Sequence, residues 1–180
     1  MISEEPITAP VKRAPLPVAP RVFDQSVVTE VLPAQRERLA MLQAKYKDAD
    51  ARRILQGMVS EEFKGGIAVV SSFGSESVVL LHLLSQVDPS VPVIFLNTGK
   101  LFGETLRYRD RLQDALGLLD VRAIGPRHAD LQAKDPQGIL WSRDPDACCN
   151  IRKVLPLQRA LLGFDAEITG RKRFQTVSRS

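Results

Sequence analysis

Cys148 and Cys149 are adjacent, are the only thiols in the chain, and sit between an Asp144-Pro145-Asp146 turn and a basic pair, Arg152-Lys153. Neighbouring Cα atoms lie about 3.8 Å apart, below the ~4.4–6.8 Å that a disulfide usually spans, so no structural disulfide is expected between them. Taken alone, the pair reads as two small buried residues. At the start of a basic helix it has a second reading. A helix N-terminus and nearby cations favour the thiolate, which is the form that ligates metal.

A second group of polar residues, Ser71-Ser72-Phe73-Gly74-Ser75-Glu76-Ser77, follows an apolar run and precedes a helical pattern. Small residues let backbone N–H groups approach an anion, a helix N-terminus adds partial positive charge, and four serine hydroxyls add donors. An N-capped helix after a turn would use the same residues. The segment is neither a Walker A loop nor a GxGxxG fingerprint. Asn97-Thr98-Gly99-Lys100 follows another apolar run, and Gly170-Arg171-Lys172-Arg173 follows a candidate strand, Ala166 to Thr169. Planar guanidinium groups at Arg171 and Arg173 suit a bidentate grip on an oxyanion, although basic clusters are commonly solvated surface. His82 and His128, the two histidines, receive no catalytic assignment.

These groups need elements to position them. Residues 67–70, 91–96, 121–124 and 166–169 read as short apolar strands. Helical patterns occupy residues 35–46 (Leu39, Leu42 and Tyr46 on one side), 49–63, 77–86, 101–116 and 147–162. Apolar strands alternating with helices imply an α/β fold with an open, mainly parallel sheet covered on both faces. Ligands of such sheets bind outside the carboxyl ends of the strands, where the three polar loops fall. Residues 1–20, with five prolines and little to bury, read as a disordered tail. Residues 21–64 form a helical lead-in, and residues 65–180 the α/β core, within one domain overall.

The formal charge of +4 in 180 residues favours an anionic ligand without calling for nucleic acid, and the aromatic content of 6% is thin for a base-stacking surface. Nothing approaches the roughly 20 apolar residues of a membrane span, and residues 1–20 hold no signal-peptide core. The expected compartment is the cytoplasm, with no membrane partner.

The serine loop resembles the modified PP-loop of the assimilatory sulfonucleotide reductases, usually close to S-F-G-A-E-S. Phe73 and Glu76 separate it from the S-G-G-x-D-S run of the related ATP pyrophosphatases. The segment 95–109 resembles the family's F-L-D-T-G-x-L-x-x-E-T-x-x-Y stretch, with Asn97 where aspartate is usual. Residues 148–154 closely resemble the C-C-x-x-R-K-V signature of the reductases that use adenylyl sulfate, and Arg171 and Arg173 look like the family's arginine loop. The resemblance implies a PP-loop (adenine-nucleotide α-hydrolase-like) fold. It implies that Ser71, Ser72, Phe73, Gly74, Ser75, Glu76, Ser77, Asn97, Thr98, Gly99, Lys153, Arg171 and Arg173 bind substrate. Cys148 and Cys149 become two of four thiolates for a [4Fe-4S] cluster. The implied reaction reduces adenosine 5′-phosphosulfate to sulfite and AMP. A cysteine thiolate attacks the sulfur, AMP leaves, and thioredoxin cleaves the S-sulfocysteine.

Three alternatives stay open: a reductase of the 3′-phosphorylated nucleotide, an ATP pyrophosphatase or sulfur transferase of the wider superfamily, and a non-catalytic nucleotide-binding fragment. The resemblance spans residues ~60–175. The family's second C-x-x-C pair and its C-terminal tail with the nucleophilic cysteine have no counterpart in these 180 residues. By itself the chain is therefore expected to bind nucleotide without releasing sulfite, either as a fragment or as a degenerate member.

Overall fold

The computed structural model of the protein describes residues 33–170. The expected tail and the arginines at 171 and 173 lie outside the described residues. Two compact units meet in the chain between Lys45 and Tyr46. The first contains α1 (Pro33–Lys45), which opens on a proline at the position where a missing N–H is harmless. None of its side chains is buried, Leu39 included.

The second unit is built on four strands, β1 (Ile67–Val70), β2 (Val93–Leu96), β3 (Val121–Ile124) and β4 (Ala166–Thr169). Every pairing is parallel and the order is β3-β2-β1-β4. Val69 stands opposite Val93 on one side and Ile168 on the other. The two central strands are apolar throughout because both of their faces are covered. The outer strands carry Arg122 and Glu167 at exposed positions, as edges do.

Helix α2 (Ala51–Gly57) starts at Asp50, whose carboxylate accepts the Arg53 N–H at 2.7 Å. It runs on as a wide π turn, Met58–Glu62. Tyr46 lies across Gly57, where a Cβ would come within 2.6 Å of the ring carbons Cε1 and Cζ. Helices α3 (Ser75–Val87) and α4 (Gly103–Leu116) follow β1 and β2. Leu55 and Val59 from α2 and its π turn join Leu81 and Leu84 of α3 in the core, together with Val69, Phe73, Val93 and Phe95. The second lead-in helix thus belongs physically to the α/β unit.

All four expected strands and five helical regions are found, with shifts that have local causes. Helix α3 begins at Ser75 rather than Ser77, because Gly74 is already an extended N-cap and its carbonyl accepts the Ser77 N–H at 2.9 Å. Strand β2 begins at Val93 rather than 91. The Asp88 carboxylate holds Ser90 in a turn, and Pro92 has no N–H to give a ladder. The expected helix at 147–162 starts earlier and is not uniform. It comprises α7 (Pro145–Cys149), a π turn (Asn150–Val154) and α8 (Leu155–Ala160). Two short helices, α5 (His128–Lys134) and α6 (Leu140–Arg143), were not expected; with seven and four residues they carry almost no periodicity.

Leu81 is fully buried, whereas Val79 on the same helix is 65% exposed. Leu81→Ala should cost ~2–5 kcal/mol in urea unfolding. Val79→Ala should change stability by no more than about 0.5 kcal/mol. Equal losses at the two positions would contradict the packing described.

Candidate functional site

At the carboxyl edge of the sheet the chain leaves β1 through the serine loop. Phe73 makes this turn with φ = 57°, a left-handed conformation that is costly for a bulky residue. Its ring is 1% exposed and meets Phe95 of β2 edge-on, with centroids 5.6 Å apart. The Arg109 guanidinium covers the Phe95 ring at 5.1 Å. The Phe73 and Gly74 N–H groups donate to Ser71 Oγ (3.1 Å) and Ser72 Oγ (3.4 Å). Each of those oxygens thereby accepts a bond, and each hydroxyl retains its own proton to donate. Ser75 opens α3, whose N-terminus carries the partial positive charge of the helix toward this loop.

These features border a cleft of about 560 Å³. Ser71, Ser72, Gly74, Ser75, Glu76 and Ser77 line one side. Val70, Phe95, Leu96 and Leu101 supply an apolar floor, and Thr98, Thr105, Lys153, Thr169 and Gly170 complete the wall. The lining therefore combines serine and threonine hydroxyls, apolar side chains and Lys153.

Eight residues predicted from the sequence are thus brought together: six of the serine loop, Thr98 and Lys153. Three others do not line the cleft. Phe73 is buried in the core and shapes the loop from behind. Asn97 is turned into its own loop, where its Oδ1 accepts the Gly99 N–H at 3.1 Å. Gly99, at φ = 72°, supplies the left-handed turn. An aspartate at 97 could accept the same bond, so the side-chain charge is not needed for this local role. Cys148 is buried and Cys149 exposed, both as free thiols at the end of α7. Among the described residues no group of three or more His, Cys, Asp or Glu side chains is arranged to hold a metal.

Arg152 and Asp135 form an unpredicted centre. Arg152 is only 5% exposed and Asp135 6%. Arg152 Nη2 meets Asp135 Oδ2 at 2.6 Å, and Nη1 donates to the Thr98 carbonyl at 2.8 Å. Asp135 Oδ1 accepts the Leu140 N–H at 2.9 Å. Arg152 Nε has no hydrogen-bond partner among the described residues. The hydrogen bond from Arg152 outweighs the opposing effect of burial and holds the Asp135 carboxyl below its usual range. An acidic residue 17 positions before its arginine gives no sequence signal; only the run Asp144–Lys153 hinted that this arginine mattered.

The fold and cleft define a class: parallel α/β domains that present a serine-rich, helix-opening loop at the carboxyl edge of the sheet. Residues 66–180 match the phosphoadenosine phosphosulfate reductase domain family, and the chain belongs to that family. It is 47% identical over 140 residues to the adenosine 5′-phosphosulfate reductase of Chelativorans sp. strain BNC1, covering 77% of this chain and 57% of that one. It is 46% identical over 143 residues to the enzyme of the same name from Mesorhizobium japonicum, covering 79% and 56%. The chain thus spans a little over half the length of these curated relatives. A crystal structure of phosphoadenylyl-sulfate reductase from Candida auris, a phosphate complex, has the same fold at TM-score 0.65 and 22% identity, covering 79% of this chain and 70% of that one. Among the described residues, no helix is long and apolar enough to cross a membrane.

The depressed Asp135 value sets a pH dependence. This carboxylate contributes stability that is fully present above the ordinary pKa of about 3.9 and is lost as pH falls through its lower native value. Urea midpoints of the native chain and of Asp135→Asn should therefore differ by a constant amount near neutrality and converge below about pH 4. A gap that widens on acidification would contradict the ion pair.

Proposed function

We propose that the cleft binds adenosine 5′-phosphosulfate and that the whole protein reduces it to sulfite and AMP with thioredoxin. The observation that carries the reading is the meeting of the serine loop with Lys153, a residue of the cysteine-pair helix, in one cleft. The apolar floor of Phe95, Leu96 and Leu101 suits an adenine ring. The serine hydroxyls and the start of α3 suit the phosphosulfate oxygens, and Lys153 adds charge where negative charge would develop on the leaving AMP. The choice of the 5′-phosphosulfate over its 3′-phosphorylated relative rests on the cysteine pair and on the names of the two relatives.

A [4Fe-4S] cluster normally takes four thiolates. Cys148 and Cys149 fit two of those positions, and the chain has no other cysteine, so the donor set within it is half complete. The pair is the site we assign to the cluster, which these thiolates would help to hold and which would set the electrostatic environment of Lys153 on the same helical run. Thiols kept available to ligate a cluster call for a reducing compartment, and the cytoplasm is the place of action we propose. Arg171 and Arg173 are retained as anion ligands on sequence grounds.

Two calorimetric comparisons test this. The chain should bind adenosine 5′-phosphosulfate more tightly than the 3′-phosphorylated nucleotide, and equal or reversed affinities would sink the substrate assignment. Lys153→Ala should weaken sulfonucleotide binding by ~1.5–3 kcal/mol while leaving adenosine binding nearly unchanged. Matching losses for both ligands would show that Lys153 serves packing and not the anion.

A further inference from the structure

We infer that Asp135 is a positioning residue for the cleft, acting through Arg152 on the Thr98–Lys100 loop. The inference deepens the functional reading above, and it rests on a contact pattern that reading does not use.

The loop is held from two points on one turn. Asp135 fixes Arg152, and Arg152 Nη1 takes the Thr98 carbonyl at 2.8 Å. Three residues further along that turn, the Gly138 carbonyl accepts the Lys100 ammonium at 2.8 Å. The turn itself is rigid, since Gly138 N–H donates to the Asp135 carbonyl at 3.1 Å and Leu140 N–H to the Asp135 carboxylate at 2.9 Å. Between the two anchors Gly99 adopts φ = 72°, and a Cβ there would lie 3.4 Å from Arg152 Nη1. The guanidinium is thus the surface against which the loop is moulded. Thr98 lines the cleft, and so does Lys153, the residue next to Arg152 in the π turn. One carboxylate therefore governs two parts of the wall that belong to different elements.

Its chemistry argues for positioning over catalysis. Both Asp135 oxygens are engaged, by Arg152 and by Leu140, and Asp135 does not line the cleft. Stability alone is a poor account. Buried ion pairs are commonly neutral or unfavourable against apolar replacements of similar volume, and this one also leaves Arg152 Nε without a hydrogen-bond partner among the described residues. What the pair supplies that an apolar pair cannot is a directed donor to the Thr98 carbonyl.

The double variant Asp135→Leu/Arg152→Met separates the roles, because apolar replacement of both partners preserves burial while removing that donor. Asp135→Glu, which keeps the charge, serves as the conservative rescue. Amide hydrogen exchange by NMR on the full chain is read at Gly99 and Lys100, whose N–H groups bond to Asn97 Oδ1 and Thr98 Oγ1. Amides of β1 and β2 are the internal reference. The double variant should exchange about tenfold faster or more at Gly99 and Lys100 with the strand amides unchanged, and Asp135→Glu should recover part of the protection. Unchanged loop exchange in the double variant, or acceleration shared equally by the strands, would overturn the inference. Titration of adenosine 5′-phosphosulfate into the unmodified chain reports separately on the functional reading. If it binds there, its affinity should fall about tenfold in the double variant. If it does not, the functional reading fails and the loop exchange alone decides the role of Asp135.

Discussion

Phe73 turns the chain out of the sheet with a left-handed backbone, and the burial of its ring is what holds that conformation. A bulky residue in this region costs roughly 1–2 kcal/mol, which burial of an aromatic side chain exceeds. The ring packs edge-on against Phe95, and Arg109 closes over Phe95 from α4. The shape of the serine loop is therefore set from below, by the core, together with the two hydrogen bonds inside the loop. This explains why a phenylalanine can stand among serines and glycines without facing the cleft. It also accounts for the ordering of Ser71 and Ser72: their oxygens accept from the Phe73 and Gly74 N–H groups within the turn.

The second wall of the cleft is organised differently. Here a buried guanidinium replaces the aromatic ring as the template. Arg152 projects from a π turn, where the helix is widened by one residue per turn, so that it reaches the Thr98 carbonyl while its neighbour Lys153 lines the cleft. One side of the site thus depends on apolar packing and the other on a charged, directional contact. The first tolerates changes of salt and pH. The second is sensitive to protonation of Asp135 at low pH, because the arginine would then sit buried without its counter-charge.

Cys148 and Cys149 lie one turn before Arg152 on the same helical run. Their different exposures follow from adjacency on a helix, where successive side chains point about 100° apart. Any group that both thiols bound would have to lie at the edge between the buried and the exposed face.

Much of this was legible in the residues. The four strands, the parallel α/β class and the serine loop follow from short apolar runs bounded by glycine, proline and serine, a local signal that needs no tertiary information. The six serine-loop residues, Thr98 and Lys153 were named through their resemblance to a family's motifs, and the folded chain gathers them at one cleft. What only the folded chain decided was the direction of side chains and the meeting of distant ones. Phe73 faces the core and Asn97 its own loop, and a motif cannot tell which way a residue points when its backbone leaves the regular regions. The start of α3 at Ser75 was set by the Gly74 cap, not by the apolar periodicity. The Asp135–Arg152–Thr98 contact joins segments whose residues lie 17 and 54 positions apart, and no period in the sequence links them. It exists because parallel crossover connections bring those segments to the same sheet edge, where a buried charge had to find a partner.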